Sequence, residues 1–125
     1  MAKALVVDDS RAVRMILAKT LKELGFEVRE AANGREALEV IESTLRAAAD
    51  PPAGEYLDAD VGSCALAAAE IVAGALDRPA SGLPEDVTVW LQTHGKAVPA
   101  SFRPLAEAAV ARAAASREAS VAQLV

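Results

Sequence analysis

Apolar and polar positions change rhythm twice along this chain. Residues 3 to 10, Lys-Ala-Leu-Val-Val-Asp-Asp-Ser, open with an apolar run and stop on two acids and a serine. Leu and Val without alternation suit a strand covered on both faces, as in a parallel sheet, where ligands bind just beyond the carboxyl ends of the strands. From Arg11 to Leu24 the period lengthens. Val13, Leu17, Leu21 and Leu24, widened by Ile16, share one face of a helix that Gly25 ends. Phe26 to Ala31 alternates apolar with charged residues as an edge strand does, and Asn33-Gly34 caps a second helix with Ala37, Leu38, Ile41 and Leu45 as its inner positions. Strand, helix and strand in so short a span predict a parallel pair with a right-handed crossover, which places Asp8 and Asp9 at the tip of an inner strand.

Beyond residue 44 the pattern is helical. Gly62 to Leu76 is apolar on nearly every side, interrupted only by Ser63, Cys64, Glu70 and Gly74, and such a helix belongs at the centre of a small bundle. Arg78-Pro79-Ala80-Ser81-Gly82 reads as a linker. Leu83-Pro84-Glu85-Asp86 starts a helix with proline in its first turn and two acids at the positive end of its dipole, bringing Val87, Trp90 and Leu91 together. A loop from Thr93 to Ala100 leads to an alanine-rich helix over Ser101 to Ala115, whose inner stripe is Leu105, Ala109, Val110 and Ala113. The fold class is therefore an α/β N-terminal βαβα half with two parallel strands, continuing into an all-α part and mostly helical overall. The boundary falls at 1–43 and 44–125, packed as one compact unit.

Charge changes this picture more than composition does. Residues 1 to 46 carry eight basic and eight acidic side chains, whereas 47 to 125 carry five and ten, so the C-terminal part opposes a phosphate-binding surface and no nucleic-acid role is expected. Alanine is about a quarter of the chain and aromatics 3%, so helices can approach closely but few large side chains anchor a core. The one cysteine excludes an internal disulfide, and neither a membrane span nor a secretory signal is read, which makes a cytoplasmic protein the expectation.

Candidate chemistry gathers at the acids. Asp8 and Asp9 could together hold a hard cation such as Mg2+, which prefers oxygen ligands; the plainer reading is that Asp9 or Ser10 N-caps the following helix. Asp58 and Asp60, with Glu55, offer a second acidic group, for which capping and solvation are the simpler account. His94 reads as a loop residue, Cys64 as a plain buried thiol and Trp90 as core. No serine elbow, phosphate-cradling glycine loop or arginine-rich stripe is present, so no enzyme activity is expected.

Leu5-Val6-Val7-Asp8-Asp9-Ser10, Gly25-Phe26-Glu27-Val28 and Ala32-Asn33-Gly34-Arg35-Glu36-Ala37-Leu38 resemble, over residues 3 to about 41, the start of a bacterial chemotaxis-type response-regulator receiver. The resemblance implies Mg2+ binding by Asp8 and Asp9 and phosphoryl transfer from a histidine kinase to a third aspartate at the end of a third strand. A divalent ion there neutralises and orients the transferring group. At the family's spacing that third aspartate falls on Ala53, among Pro51, Pro52 and Gly54, residues that oppose a central strand. Asp58 and Asp60 are the only displaced candidates for a phosphoacceptor, and the family's hydroxyl and lysine have no counterpart.

Leu45-Arg46-Ala47-Ala48, Glu55-Tyr56-Leu57-Asp58-Ala59-Asp60, Ala65 to Ala73 and Leu83-Pro84-Glu85-Asp86-Val87 resemble, over about 42–119, the later part of domain-of-unknown-function family 4259. That resemblance implies a helical arrangement and no chemistry. Two half-domains are thus expected to meet near Glu39 to Ser43, joined by natural recombination, deliberate construction or an assembly error. The functional expectation is a receiver-derived fragment that is not phosphorylatable, needs no cofactor, binds Mg2+ weakly at most, and acts through a protein partner or a homodimer formed at its exposed strand edge. The alternatives are a divergent receiver still active in phosphorelay with Mg2+, and a structural domain without native activity.

Overall fold

The computed structural model describes residues 3–76, 82 and 84–123, and of residues 90, 94 and 117–123 only the backbone. The chain divides into two compact units, Met1–Ile41 and Glu42–Val125, with the division inside a helix.

The first unit is a parallel strand pair with its crossover helix. β1 (Lys3–Val7) pairs with β2 (Glu27–Ala31) in a register that sets Val6 opposite Glu30 and Val7 opposite Ala31. Between them runs α1 (Arg11–Glu23). Ser10 is its N-cap, held extended at φ −88° and ψ 116°, with its hydroxyl accepting from Val13 N at 3.3 Å. At the other end Gly25, at φ +92°, takes the left-handed conformation. Its N–H reaches Lys22 O at 3.0 Å and that of Phe26 reaches Leu21 O at 3.0 Å, the paired bonds of a Schellman motif. The helix therefore starts and stops where the sequence predicts.

Its inner face is not the expected one. Ala18 is the buried residue of α1, with Arg14 and Leu21 half-buried, while Val13, Ile16, Leu17 and Leu24 remain 40%, 66%, 44% and 69% exposed. The reason is width. Two strands span about 5 Å, whereas a helix with its side chains is about 10 Å across, so the pair covers only a narrow strip of it.

α2 (Gly34–Ala49) begins with a reciprocal cap, in which Asn33 Oδ1 accepts from Glu36 N at 2.9 Å and the Glu36 carboxylate accepts from Ala32 N. Ala37, Ile41, Leu45 and Ala48 are buried along one face, as the periodicity predicts for the first three, while Leu38, expected with them, is half-buried.

The second unit is built on α3 (Ala59–Leu76) packed against α5 (Phe102–Gln123), with α4 (Glu85–His94) and a 3-10 turn at Gly95–Ala97 beside them. The buried side chains are mostly small: Ala65, Ala68 and Val72 on α3, and Ala106, Ala109 and Ala113 on α5, with the larger Phe102 buried at the start of α5. A methyl group built on Gly62 would lie 3.8 Å from Ala113 Cβ, which shows how closely the helices approach. That closeness explains two departures. The inner stripe of α5 follows the alanines, leaving Val110 37% exposed, and α3 is not central: Ser63, Leu66, Ala67, Glu70 and Ala73 form an open face. α3 is also 18 residues long with mean hydropathy 1.5, enough by length and composition alone to cross a membrane, and 22% of it is buried. This corrects the reading that no such run exists. Cys64 on α3 is half-buried rather than enclosed, and His94 closes α4 instead of lying in a loop. The expected linker lies outside the described residues apart from Gly82, as does the side chain of Trp90.

Candidate functional site

Where β1 ends, Asp8 meets partners of its own. Asp8 continues the pairing beyond the strand, its N–H reaching Ala31 O at 3.1 Å, and its Oδ1 accepts from Ser10 N at 2.7 Å. This is an Asx-type turn that leads the chain from strand into the Ser10 cap. Arg14, one turn into α1, donates to the Asp8 backbone carbonyl at 2.6 Å and lies 3.5 Å from a carboxylate oxygen of Glu30 on β2, its side chain 14% exposed. A guanidinium thus already occupies the carbonyl side of the corner, and one carboxylate oxygen of Asp8 is committed to the backbone. Asp9 is exposed. Among the described residues no three His, Cys, Asp or Glu side chains converge as a metal site. Asp8 and the exposed Asp9 are the carboxylates that would hold the Mg2+ implied by the receiver resemblance, an ion that takes oxygen ligands, and they stand beside the positive charge of Arg14.

Asp58 and Asp60 belong to the second unit. Asp58 is exposed and precedes α3, its backbone carbonyl accepting from Gly62 N at 3.1 Å, while Asp60 is half-buried in the first turn. Both sit where acids favour the positive end of a helix dipole, and neither follows a strand, since Glu55 to Leu57 stays irregular rather than adding one. The cause lies in α5. The buried Ser116 hydroxyl takes both backbone groups of Leu57, accepting from its N at 3.0 Å and donating to its O at 3.4 Å. One turn earlier, Arg112 donates to the carbonyls of Pro51, Pro52 and Glu55 at 3.2, 2.9 and 3.4 Å. Together they strap the segment before α3 onto α5. Beside this strap opens a cleft of about 340 Å³, with Tyr56, Asp58, Ser63 and Leu66 among its walls.

Reading the sequence missed Arg14, Arg112 and Ser116. For Arg14 the signal was an arginine one turn after a Ser cap. For Ser116 it was a lone hydroxyl continuing the spacing of Phe102, Ala106, Ala109 and Ala113.

The first unit also leaves large apolar side chains open, among exposed charged residues. Val13, Ile16, Leu17 and Leu24 run along one side of α1, Val7 is 40% exposed at the end of β1, and among the described residues β1 pairs on one side only.

Compared with known proteins, no curated protein and no solved structure matches the chain. One family model does, the domain of unknown function DUF4259, over residues 22–124. The match begins about twenty residues earlier than position 42, so it runs across the expected join near Glu39 to Ser43 and takes in β2 and α2. No receiver-family match supports the likeness over residues 3 to 41. Since the match spans most of its length, the chain belongs to the DUF4259 family of domains of unknown function.

Proposed function

We propose that this protein is a non-catalytic module of the cytoplasm that works by protein contact through its first unit. The observation that carries the reading is the exposed stripe of Val13, Ile16, Leu17 and Leu24 beside the unpaired edge of β1. Large apolar side chains grouped on one side of a helix, next to unsatisfied strand N–H and C=O groups, are what a binding surface offers and what a solvated face avoids. Phosphorelay is a property of the lineage rather than of this chain. The receiver-like motif at Leu5 to Ser10 lies outside the DUF4259 match, whereas Gly25 to Val28 and Ala32 to Leu38 lie inside it, so receiver ancestry rests on the sequence likeness alone. Asp8 is engaged in a turn and Asp58 follows no strand, which supports the reading of a chain that is not phosphorylated.

Two measurements test this. Incubation with Mg2+ and acetyl phosphate is expected to leave the intact mass unchanged; an aspartyl adduct at Asp8, Asp9, Asp58 or Asp60 would overturn the reading. Replacing Ile16 by Gln should leave the thermal midpoint essentially where it was, because Ile16 is 66% exposed. A loss of several degrees would show the stripe to be core.

A further inference from the structure

We infer that the cleft between the start of α3, the segment before it and α5 is a binding site for a small organic ammonium, a molecule with one positive nitrogen on a short apolar body. The site belongs wholly to the second unit, so it stands or falls separately from the β1–α1 face. Its volume of about 340 Å³ is that of a small-ligand pocket. Ala59, Gly62, Ser63 and Leu66 line it from one face of α3, at the i, i+3, i+4, i+7 spacing, and Ala113 lines it from α5. The two helices bring small or apolar groups and hydroxyls to the cleft, and no charge. Tyr56 and Asp58 form the remaining wall, on backbone that is already held. Arg112 donates to the carbonyl of Glu55 at 3.4 Å and Ser116 takes both backbone groups of Leu57, so the chain is fixed on each side of Tyr56. A ligand therefore need not order this exposed segment on binding.

The polar groups of the walls select the ligand. Asp58 is the one charged side chain among them, and its carboxylate has no hydrogen bond or ion pair among the described residues. The Ser63 hydroxyl is open as well, although those of Thr20, Thr88 and Thr93 turn back onto the carbonyl four residues earlier in their own helices. A carboxylate, a hydroxyl oxygen and the face of the Tyr56 ring all attract a cation, and an ammonium can donate to the first two while lying against the third. A metal ion matches less well, because one carboxylate does not furnish the several oxygen ligands that Mg2+ or Ca2+ takes. An anion would face Asp58 in a stretch, residues 47 to 125, that carries ten acidic and five basic side chains. The apolar body follows from Leu66 and Ala113, which offer the rest of the ligand nothing to hydrogen-bond.

Hexylammonium, hexanol and hexanoate, titrated into the full chain and followed by amide NMR, test this. The ammonium is expected to give saturable shifts centred on residues 56–66 and 113–116. It should bind about three-fold tighter than hexanol, the scale of a solvent-facing ion pair, with hexanoate weakest, and added salt should narrow the gap between ammonium and alcohol. Asp58→Asn should bring the ammonium to the affinity of hexanol; asparagine caps a helix as well as aspartate, so its circular dichroism should match the parent. Leu66→Ser, at a position 43% exposed, should weaken ammonium and alcohol alike, by about two-fold or more. Glu70→Gln removes the same charge from an exposed position of α3 outside the cleft and should leave the affinity unchanged. Equal affinity for ammonium and alcohol, an Asp58→Asn variant that holds the ammonium as tightly as the parent, or no saturable shift at millimolar ligand overturns the inference.

Discussion

Replacing Ser116 by Ala removes one oxygen and leaves two backbone groups without partners. Ser116 is 8% exposed and Leu57 7%, and the hydroxyl serves both the N–H and the carbonyl of Leu57, at 3.0 and 3.4 Å. Water has little access to either group, so the loss exceeds that of an ordinary surface hydrogen bond. A buried donor or acceptor left unsatisfied costs about 1–3 kcal/mol. Ser116 and Leu57 belong to the compact unit Glu42–Val125, and for a domain of that size each kcal/mol moves the midpoint by about 4–8 °C. The expected fall is therefore about 5–20 °C by calorimetry, with the Leu57 amide losing protection in hydrogen exchange before its neighbours on α3 do. Ser63→Ala is the control. Ser63 is exposed on α3 beside the same cleft, and its replacement should be neutral within about 0.5 kcal/mol. If Ser116→Ala melted with the parent and Leu57 exchanged no faster, the strap would not hold the segment before α3, and its irregular conformation would need another cause.

The helix pair of the second unit gives two further tests. Ala109 is fully buried in the contact of small residues between α3 and α5, so Ala109→Leu should overpack it and lower the denaturant midpoint by the equivalent of about 1–3 kcal/mol, whereas the same change at exposed Ala108 should not. Gly95 has an ordinary helical φ of −58°, yet a methyl group there would lie 3.3 Å from Ala75 Cα, so Gly95→Val should destabilise by more than about 1 kcal/mol through collision with backbone rather than through strain; an unchanged midpoint would refute that close approach.

Local grammar made much of this fold legible. Ser10, Gly25 and Asn33 cap or terminate helices by their own side chains or backbone freedom, and such signals act within a few residues, so they could be read without knowing what lay across the molecule. The inner faces were harder, because a period says which residues share a side and not which side is covered. Val13, Leu17 and Leu24 share a face as expected and remain exposed, since the covering depends on how many strands the sheet possesses. α5 shows the reverse case: of the expected stripe Ala109 and Ala113 are buried while Leu105 is half-buried and Val110 exposed, and the buried line continues through Ala106 to Phe102, because small residues over most of its length let α3 come near. The acids mark the limit of motif reading. Asp8-Asp9-Ser10 has the letters of a receiver's metal corner, but the physical role of a carboxylate is decided by its neighbours. Here Ser10 N takes one oxygen of Asp8 and Arg14 approaches its carbonyl, turning the corner into a strand-to-helix turn. The same edge also carries a surface: with no further strand among the described residues beside β1, its open backbone and the exposed stripe on α1 stand together, a juxtaposition that depends on the number of strands and that no local motif announces.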